Sequence, residues 1–161
     1  MSTAAVSIDP KATLIDNLRR VGGMYVNDLA HIPAEKLGES PMGAARTPLD
    51  FTAECAGFNY YVASTLKGEQ ITRTQEERDA FRNSIDSFDK AKQALEASVE
   101  NLADTVSNST HEDLAKEVVT PWGEPTTAHR LAIMCVMHMM YHDGQINYIQ
   151  ALYGDAENHW A

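Results

Sequence analysis

The chain has 161 residues, of which 43% are hydrophobic and 22% are charged, and it carries a formal net charge of −10. This length and composition are typical of a globular protein, so we expect a single domain over residues 1–161. The acidic balance disfavours nucleic acid and anionic membranes as partners, because both require a basic surface. The sequence contains no apolar run long enough for a transmembrane helix, no evident signal peptide and only two cysteines, Cys55 and Cys135. These features predict a cytoplasmic protein without a disulfide framework.

Capping signals predict where the first helix begins and ends. Asp9 followed by Pro10 is typical of a helix start, and Pro33 predicts that the helix ends shortly before it. Between these points, apolar residues recur at a spacing of three or four. They are Leu14, Leu18, Val21, Tyr25, Leu29 and Ile32. This pattern is typical of one face of a bundle helix.

After a loop over residues 33–46, the pair Thr47 and Pro48 predicts the start of a second helix, with Gly68 as its C-terminal cap. The face that we expect this helix to turn towards the core comprises Phe51, Glu54, Phe58, Tyr61 and Thr65.

Thr74 and Glu77 have the spacing of a capping box and predict a third helix of some thirty residues. Its apolar face comprises Phe81, Ile85, Phe88, Leu95, Val99, Leu102 and Val106. Residues 107–126 break this pattern, and the Pro- and Gly-rich segment at 118–125 predicts a short extended segment or a hairpin arm.

A fourth helix is predicted from about Thr126 to Tyr153, with Gly154 ending it. Four helices with two long connections and almost no strand predict an all-α four-helix bundle whose topology is not simply up-down-up-down. The tail at 155–161 is predicted to be an exposed end, with Trp160 as the residue that docks it.

His138 and His142 lie four residues apart in the fourth helix, so their side chains should lie one above the other on one face. Two imidazoles on an otherwise apolar face need polar partners, and a shared metal ion would satisfy both. The opposing hypothesis is that each histidine binds a backbone carbonyl in the core.

Glu54 is the candidate third ligand, because it occupies a position where Phe51 and Phe58 predict an apolar residue. Two histidines and one carboxylate form a facial triad, whose ligand types admit Zn, Ni, Fe, Mn and Co. Two alternatives stay open. Glu54 could pair with an arginine such as Arg130, or it could point outwards, since an error of one residue in register would turn Cys55 inwards instead. Cys55 and Cys135 are interpreted as small core residues, although Cys135 should lie near the site.

The string His138-x-x-x-His142-x-Gly144-Gln145 resembles the DinB / YfiT-like superfamily, as does the Pro121-Trp122-Gly123-Glu124 string before the last helix. The entry of the second helix, from Thr47 to Glu54, has the spacing of the same family. The resemblance extends over nearly the whole chain, from the first helix to Tyr153. It implies a four-helix bundle that binds a divalent metal, usually Zn or Ni, through three histidines. His138 and His142 match two of them, whereas Glu54 stands where the family usually has the third.

Members of this family with known activity resemble thiol-dependent enzymes that use bacillithiol, mycothiol or a similar small thiol. The resemblance therefore implies a metal-dependent transferase or hydrolase that activates a low-molecular-weight thiol or water, with a small-molecule substrate. In this hypothesis His138, His142 and Glu54 bind the metal. Gln145 and Tyr141 are candidates for orienting the nucleophile, and Asn59 is a weaker candidate on the second helix.

Two other functions are compatible with the same residues. The first is a non-catalytic protein that binds a small ligand in the same pocket. The second is a stress-associated dimeric bundle with a vestigial metal site. The resemblance also implies a homodimer, for which an apolar outer strip on helix one or two is the expected interface.

Overall fold

The computed structural model describes residues 8–69 and 72–160, and these form a helical bundle with one small hairpin. The helices are α1 (Pro10–Ala30), α2 (Pro48–Leu66), α3 (Gln75–Ser84), α4 (Phe88–Asn108), α5 (His111–Ala115) and α6 (Ala128–Leu152). A 3₁₀ turn covers Ala34–Lys36, and the strands are β1 (Glu117–Val119) and β2 (Pro125–Thr127). The prediction of an all-α bundle is confirmed.

Side-chain caps begin α1, α2 and α6 at the positions that the sequence predicts. Asp9 accepts a hydrogen bond from the backbone of Lys11, and Thr47 forms a capping box with Asp50 at the start of α2. Thr127 caps α6 in the same way by accepting from the Arg130 backbone. At the other ends, Gly68 and Gly154 have positive φ angles of 75° and 96°, which glycine adopts without strain.

The four long helices surround one core in the order α1, α4, α2, α6, because α1 and α2 each pack mainly against α4 and α6. Lys11 reaches Ser107 and Arg19 reaches Glu100, so α1 and α4 run in opposite directions. Asp28 near the end of α1 bonds Asn147 and Gln150 near the end of α6, so these two helices run in the same direction. Consecutive helices α1 and α2 are thus diagonal partners, and the topology is not simply up-down-up-down.

The predicted third helix is wrong as a single element, because the chain breaks between α3 and α4. Ile85 leaves helical geometry at φ −97° and ψ 82°, and Ser87 then accepts from the Lys90 backbone as the N-cap of α4. Ile85 itself is buried, whereas α3 buries none of its residues. The break therefore places one apolar side chain in the core and leaves the polar α3 on the outside of the bundle, against α2.

The connection before α6 contains the short extended segment that the sequence predicts. Strands β1 and β2 pair antiparallel, with Val118 opposite Thr126. Gly123 occupies the turn with φ 92°, and its N–H donates to the Thr120 carbonyl. This hairpin ends where α6 begins, so it fixes the entry of the helix that carries the two histidines.

Trp160 docks the tail, as predicted, by donating its indole N–H to Asp28 Oδ2 at 2.9 Å. His159 stacks on His31 with ring centroids 3.4 Å apart. No helix within residues 8–69 and 72–160 combines the length and the apolar character that crossing a membrane requires. Residues 1–7, which carried the expectation of no signal peptide, lie outside the described residues.

Candidate metal centre

His138, His142 and Glu54 converge where α6 packs against α2. The two histidine Nε2 atoms lie 3.0 Å apart. Glu54 Oε1 lies 3.3 Å from His138 Nε2, and Glu54 Oε2 lies 3.8 Å from His142 Nε2. The i,i+4 spacing on α6 accounts for the close approach of the two rings, and the antiparallel packing of α2 brings the carboxylate to them.

Gln145 determines which nitrogen of His142 carries the proton. His142 Nδ1 lies 2.6 Å from Gln145 Oε1, while Gln145 Nε2 donates to the Tyr141 hydroxyl at 3.4 Å. Because an amide oxygen only accepts, Nδ1 must be the donor in this arrangement. The neutral ring then turns the lone pair of Nε2 towards His138 and Glu54, which is the tautomer that a metal ligand needs.

Aromatic side chains enclose both imidazoles. Phe51 stacks on His142 with ring centroids 4.8 Å apart, and Phe58 meets His138 edge-on at 5.3 Å. His142 is only 1% exposed. His138 Nδ1 is buried without a hydrogen-bond partner among the described residues. A buried polar atom of this kind is commonly satisfied by an ordered water.

The expectation that Glu54 is buried is wrong, because its side chain is 42% exposed. The inward face of α2 is rotated by one position, so Cys55 occupies the core and Glu54 stands at the edge, as one alternative anticipated. Glu54 also forms an ion pair, with Arg46 instead of Arg130. The partly exposed carboxylate nevertheless reaches both histidines from this edge position.

The electrostatic environment favours an ionised Glu54 opposite neutral His138 and His142. Partial burial raises the pKa of Glu54. The hydrogen bond and the charge of Arg46, together with the two histidines, lower it by more, so the pKa of Glu54 lies below its ordinary value. Burial lowers the pKa of both His138 and His142, even though Glu54 acts in the opposite direction on each. An ionised carboxylate and two neutral imidazoles are the protonation states in which these groups bind metals.

Cys55 offers a second candidate third ligand. Its sulfur lies within 4.8 Å of ligand atoms of both histidines. Burial raises the pKa of the Cys55 thiol well above its ordinary value, so the sulfur is protonated in the absence of a metal. Glu54 is already ionised and faces solvent, and we therefore consider it the better ligand. Cys135 is buried in the core, as expected.

The donor set fits a divalent ion. Ligand atoms about 2.0–2.1 Å from a tetrahedral metal lie roughly 3.3 Å from one another. The two histidine Nε2 atoms lie 3.0 Å apart, while Glu54 Oε1 lies 3.3 Å from His138 Nε2 and Glu54 Oε2 lies 3.8 Å from His142 Nε2, all close to that value before any adjustment. Three protein ligands leave positions open for a nucleophile or a substrate, which is the pattern of catalytic sites and not of closed structural ones.

Asn59, the weaker candidate on α2, is directed elsewhere. It is buried, and its amide donates to Ser98 Oγ and Met139 Sδ instead of the histidines. Asn59 therefore ties α2 to α4 and α6 below the site.

A cleft of about 820 Å³ opens beside Glu54. Glu54, Phe58 and Tyr61 of α2 form one side, and the rest is lined by α3, by the β1 end of the hairpin and by residues of the loops before α2 and α3. Four arginines that the sequence reasoning did not single out line it: Arg46, Arg73, Arg78 and Arg82. Three of them lie within ten residues around the start of α3, and this local concentration is the signal that was available in an otherwise acidic chain.

A second polar cluster lies on the other side of α6. Asp28 and Asp143 are both fully buried. Burial raises the pKa of Asp143 to about 8, and the adjacent Asp28 adds to this shift. Asp28 Oδ2 accepts from Asn147 and Trp160. A protonated Asp143 can donate to Asp28, whose Oδ1 otherwise lacks a partner within the described part of the chain.

Solved structures with this fold include two of the mycothiol-dependent maleylpyruvate isomerase, one of them a mutant. They match with TM-scores of 0.69 and 0.72 at 19% and 17% identity, over 86% of this chain and 61% of the isomerase chain. The chain thus spans about three fifths of the isomerase's length.

Two further structures match over nearly their full length. A conserved protein from Enterococcus faecalis has a TM-score of 0.73 at 14% identity, covering 91% of this chain and 98% of that one. A DinB-like protein from Bacillus subtilis has a TM-score of 0.68 at 13% identity, covering 91% and 94%. These identities show a shared fold alone, and no curated protein matches the chain.

The family model described as the DinB superfamily matches residues 12–146. This span runs from the first turn of α1 into the last third of α6 and includes Glu54, His138 and His142. The chain belongs to the DinB superfamily.

Proposed function

We propose that the protein binds one divalent metal ion, Zn or Ni, through Glu54, His138 and His142, and that it is an enzyme activating a low-molecular-weight thiol or water. The observation that carries the proposal is that the Nε2 atoms of His138 and His142 lie 3.0 Å apart, with a Glu54 carboxylate oxygen within 3.8 Å of each, at the edge of an open cleft. A bound metal would lower the pKa of a thiol or water placed on it and make that group a nucleophile.

The surrounding residues suit this role. Gln145 holds His142 in the required tautomer, and Tyr141 holds Gln145. Arg46 keeps Glu54 ionised and lies over the Phe51 ring at 5.1 Å, so the carboxylate is oriented from outside. Phe51 and Phe58 each cover one face or edge of an imidazole, and His142 is almost fully buried. The reaction would be a thiol transfer or a hydrolysis on a small molecule that enters through the cleft.

A metal measurement tests the first half of the proposal. Protein purified without chelator and without a nickel affinity tag should carry about one divalent ion per chain, measured by plasma mass spectrometry. Glu54→Ala and His142→Ala should each lower this occupancy. Cys55→Ala is the matched control, because it removes the competing third ligand from the adjacent position. Loss of metal in Cys55→Ala but not in Glu54→Ala would reassign the third ligand.

A thiol titration tests the second half. Cobalt-substituted protein is titrated with bacillithiol, mycothiol and glutathione, and the visible spectrum is recorded. A sulfur ligand should add a charge-transfer band and shift the d–d bands for at least one thiol. Unchanged spectra with all three would leave water as the nucleophile and exclude thiol activation. A wild-type protein without metal would instead favour the non-catalytic alternative, a small-ligand binder or a stress-associated bundle with a vestigial site.

The homodimer also remains a proposal, and exposed side chains on α6 favour it. Met137, Tyr141 and Tyr148 are each more than 60% exposed, and Gly144 lies between them on the same face. A Cβ added to Gly144 would meet no neighbouring atom within 4 Å among the described residues, so this face is open. It is on α6, whereas the sequence reasoning expected the strip on helix one or two. Light scattering of the wild type and of Tyr148→Glu tests it, since a charge at this interface should give monomers.

A further inference from the structure

The cleft beside Glu54 concentrates positive charge on an otherwise acidic protein. It is lined by four of the chain's seven arginines, while the chain as a whole carries a net charge of −10. Two carboxylates, Asp50 and Glu54, also line it, which leaves two surplus positive charges. A positively charged cleft in an acidic surface raises the local concentration of anions.

Two of these arginines have no carboxylate partner among the described residues. Arg46 is paired with Glu54, and Arg82 approaches Asp50 and Asp79 only at 3.9 and 3.8 Å. Arg78 donates one N–H to the Arg73 carbonyl at 3.1 Å, which brings the two residues together and leaves most of its donors unused. Arg73 lies 5.7 Å over the Phe81 ring.

The placement of these charges is unfavourable for α3 itself. Arg78 and Arg82 are four residues apart, and like charges at this spacing destabilise an isolated helix. Neither arginine contributes to the core, because α3 buries none of its residues. An anion bound at Arg78 would offset part of this repulsion.

The rest of the lining is apolar and aromatic. Phe58 and Tyr61 lie side by side with ring centroids 6.4 Å apart, and Phe81 faces them from α3. Phe58 also touches His138, so this surface leads directly to the metal centre. A ligand for such a cleft combines a charged end with a short apolar body.

We infer that the substrate is a small organic carboxylate whose carboxylate is bound by Arg73 and Arg78 while its apolar body lies on Phe58 and Phe81. Guanidinium groups bind carboxylates bidentately, and the planar fork fits this anion better than a point charge does. This inference deepens the proposed function, because it assigns the substrate class of the same site. The carboxylate end determines the orientation, so the reacting carbon is presented towards Glu54 and the histidines.

Calorimetric titration of the purified full-length protein tests the inference at low ionic strength, where exposed charges are least screened. Succinate is the probe, and succinamide is its neutral counterpart of the same length. We expect succinate to bind and succinamide to bind at least about tenfold more weakly. The double variant Arg73→Gln with Arg78→Gln should lose about tenfold or more in succinate affinity.

The matched control is Arg19→Gln with Arg20→Gln, which removes the same charge from exposed positions on α1. It should change succinate affinity by less than about twofold. Equal losses of succinate affinity in the two double variants would show that net charge alone causes the effect and would overturn the inference. So would equal binding of succinate and succinamide, no binding of either, or tighter binding of inorganic phosphate than of succinate.

His142→Ala separates this inference from the proposed function. Carboxylate binding through the arginines should persist in this variant within about twofold, because the histidine does not line the cleft. A wild type that lacks metal but binds succinate would refute the metalloenzyme and leave the carboxylate site intact. Complete loss of succinate binding in His142→Ala would place the anion on the metal and overturn its assignment to Arg73 and Arg78.

Discussion

His142 and Asp143 are adjacent on α6, yet they belong to two different polar clusters. His142 faces α2 and joins Glu54 and His138 beside an open cleft, whereas Asp143 faces α1 and meets Asp28 in the core. In the first cluster Arg46 neutralises the carboxylate from solvent. In the second, burial keeps a proton on Asp143 instead. Neighbouring residues on a helix point about 100° apart, so one helix can carry a candidate cation site and a structural hydrogen-bond cluster at the same level.

The largest expected effect comes from the buried cluster. Asp28→Ala removes the acceptor for Asn147 and Trp160 and the partner of Asp143, all at a fully buried position. We expect the free energy of unfolding to fall by about 3 kcal/mol, because hydrogen bonds to charged groups contribute roughly 1.5–3 kcal/mol each. Urea denaturation measures this change.

Metal content provides the control for Asp28→Ala. Asp28 does not touch the histidines, so the occupancy of the folded variant should equal that of the wild type. Loss of metal together with stability would show that the two clusters are one coupled unit and would remove the distinction between them.

The next largest effect is expected at the candidate metal site. Gln145→Ala removes the acceptor for His142 Nδ1 and frees the ring to rotate or change tautomer. Losing such a supporting hydrogen bond should weaken metal affinity by about 10- to 100-fold. A competition titration with a zinc chelator measures it. Tyr141→Phe, which removes only the longer contact to Gln145, should have the smaller effect, and the reverse order would mean that Tyr141 itself contacts the metal or its ligand.

Glu54→His sharpens the comparison by introducing the histidine that the family resemblance implies at this position. We expect zinc affinity to rise by about tenfold, or ~1.4 kcal/mol, with the fold retained. Chelator competition and circular dichroism measure affinity and fold. Glu54 is half exposed, so its replacement should not disturb the core. A marked loss of stability would show that the Arg46–Glu54 ion pair is required for folding.

The smallest effect is expected at the tail. Trp160→Ala removes one hydrogen bond to Asp28 and should lower the free energy of unfolding by about 1 kcal/mol, less than a fully buried bond would contribute, because Trp160 is 46% exposed. His159→Ala is a useful companion, because it removes the stacking on His31 without touching Asp28. Thermal denaturation of both variants measures the two contacts. An unchanged midpoint in Trp160→Ala would mean that the buried cluster does not depend on the tail.

Most of the fold could be predicted because helix ends in this chain are marked locally. Asp9, Thr47 and Thr127 each cap a helix through a contact of two or three residues, which needs no knowledge of the rest of the structure. The break at Ile85 escaped prediction, because Ile85 and Phe88 preserve the apolar spacing of a continuous helix across it. The packing of Ile85 into the core, together with the Ser87 cap, separates α3 from α4.

The candidate site could be predicted in part for a similar reason. The i,i+4 relation of His138 and His142 is local, so their contact follows from helix geometry. The position of Glu54 at the edge of α2 depends on how α2 and α6 rotate against each other, which periodicity does not determine to within one residue. Arg46 and Arg73 lie outside helices, and their meeting in one cleft depends on how loops fold back over the bundle.

The position of α3 outside the core affects which of its residues can be substituted without loss of stability. Because α3 buries none of its residues, the free energy of folding places little constraint on its outward side chains. Arg78, Phe81 and Arg82 line the cleft from this helix. New specificities could therefore be selected, in nature or in a library, by varying the ten residues of α3 while the candidate metal ligands on α2 and α6 stay fixed.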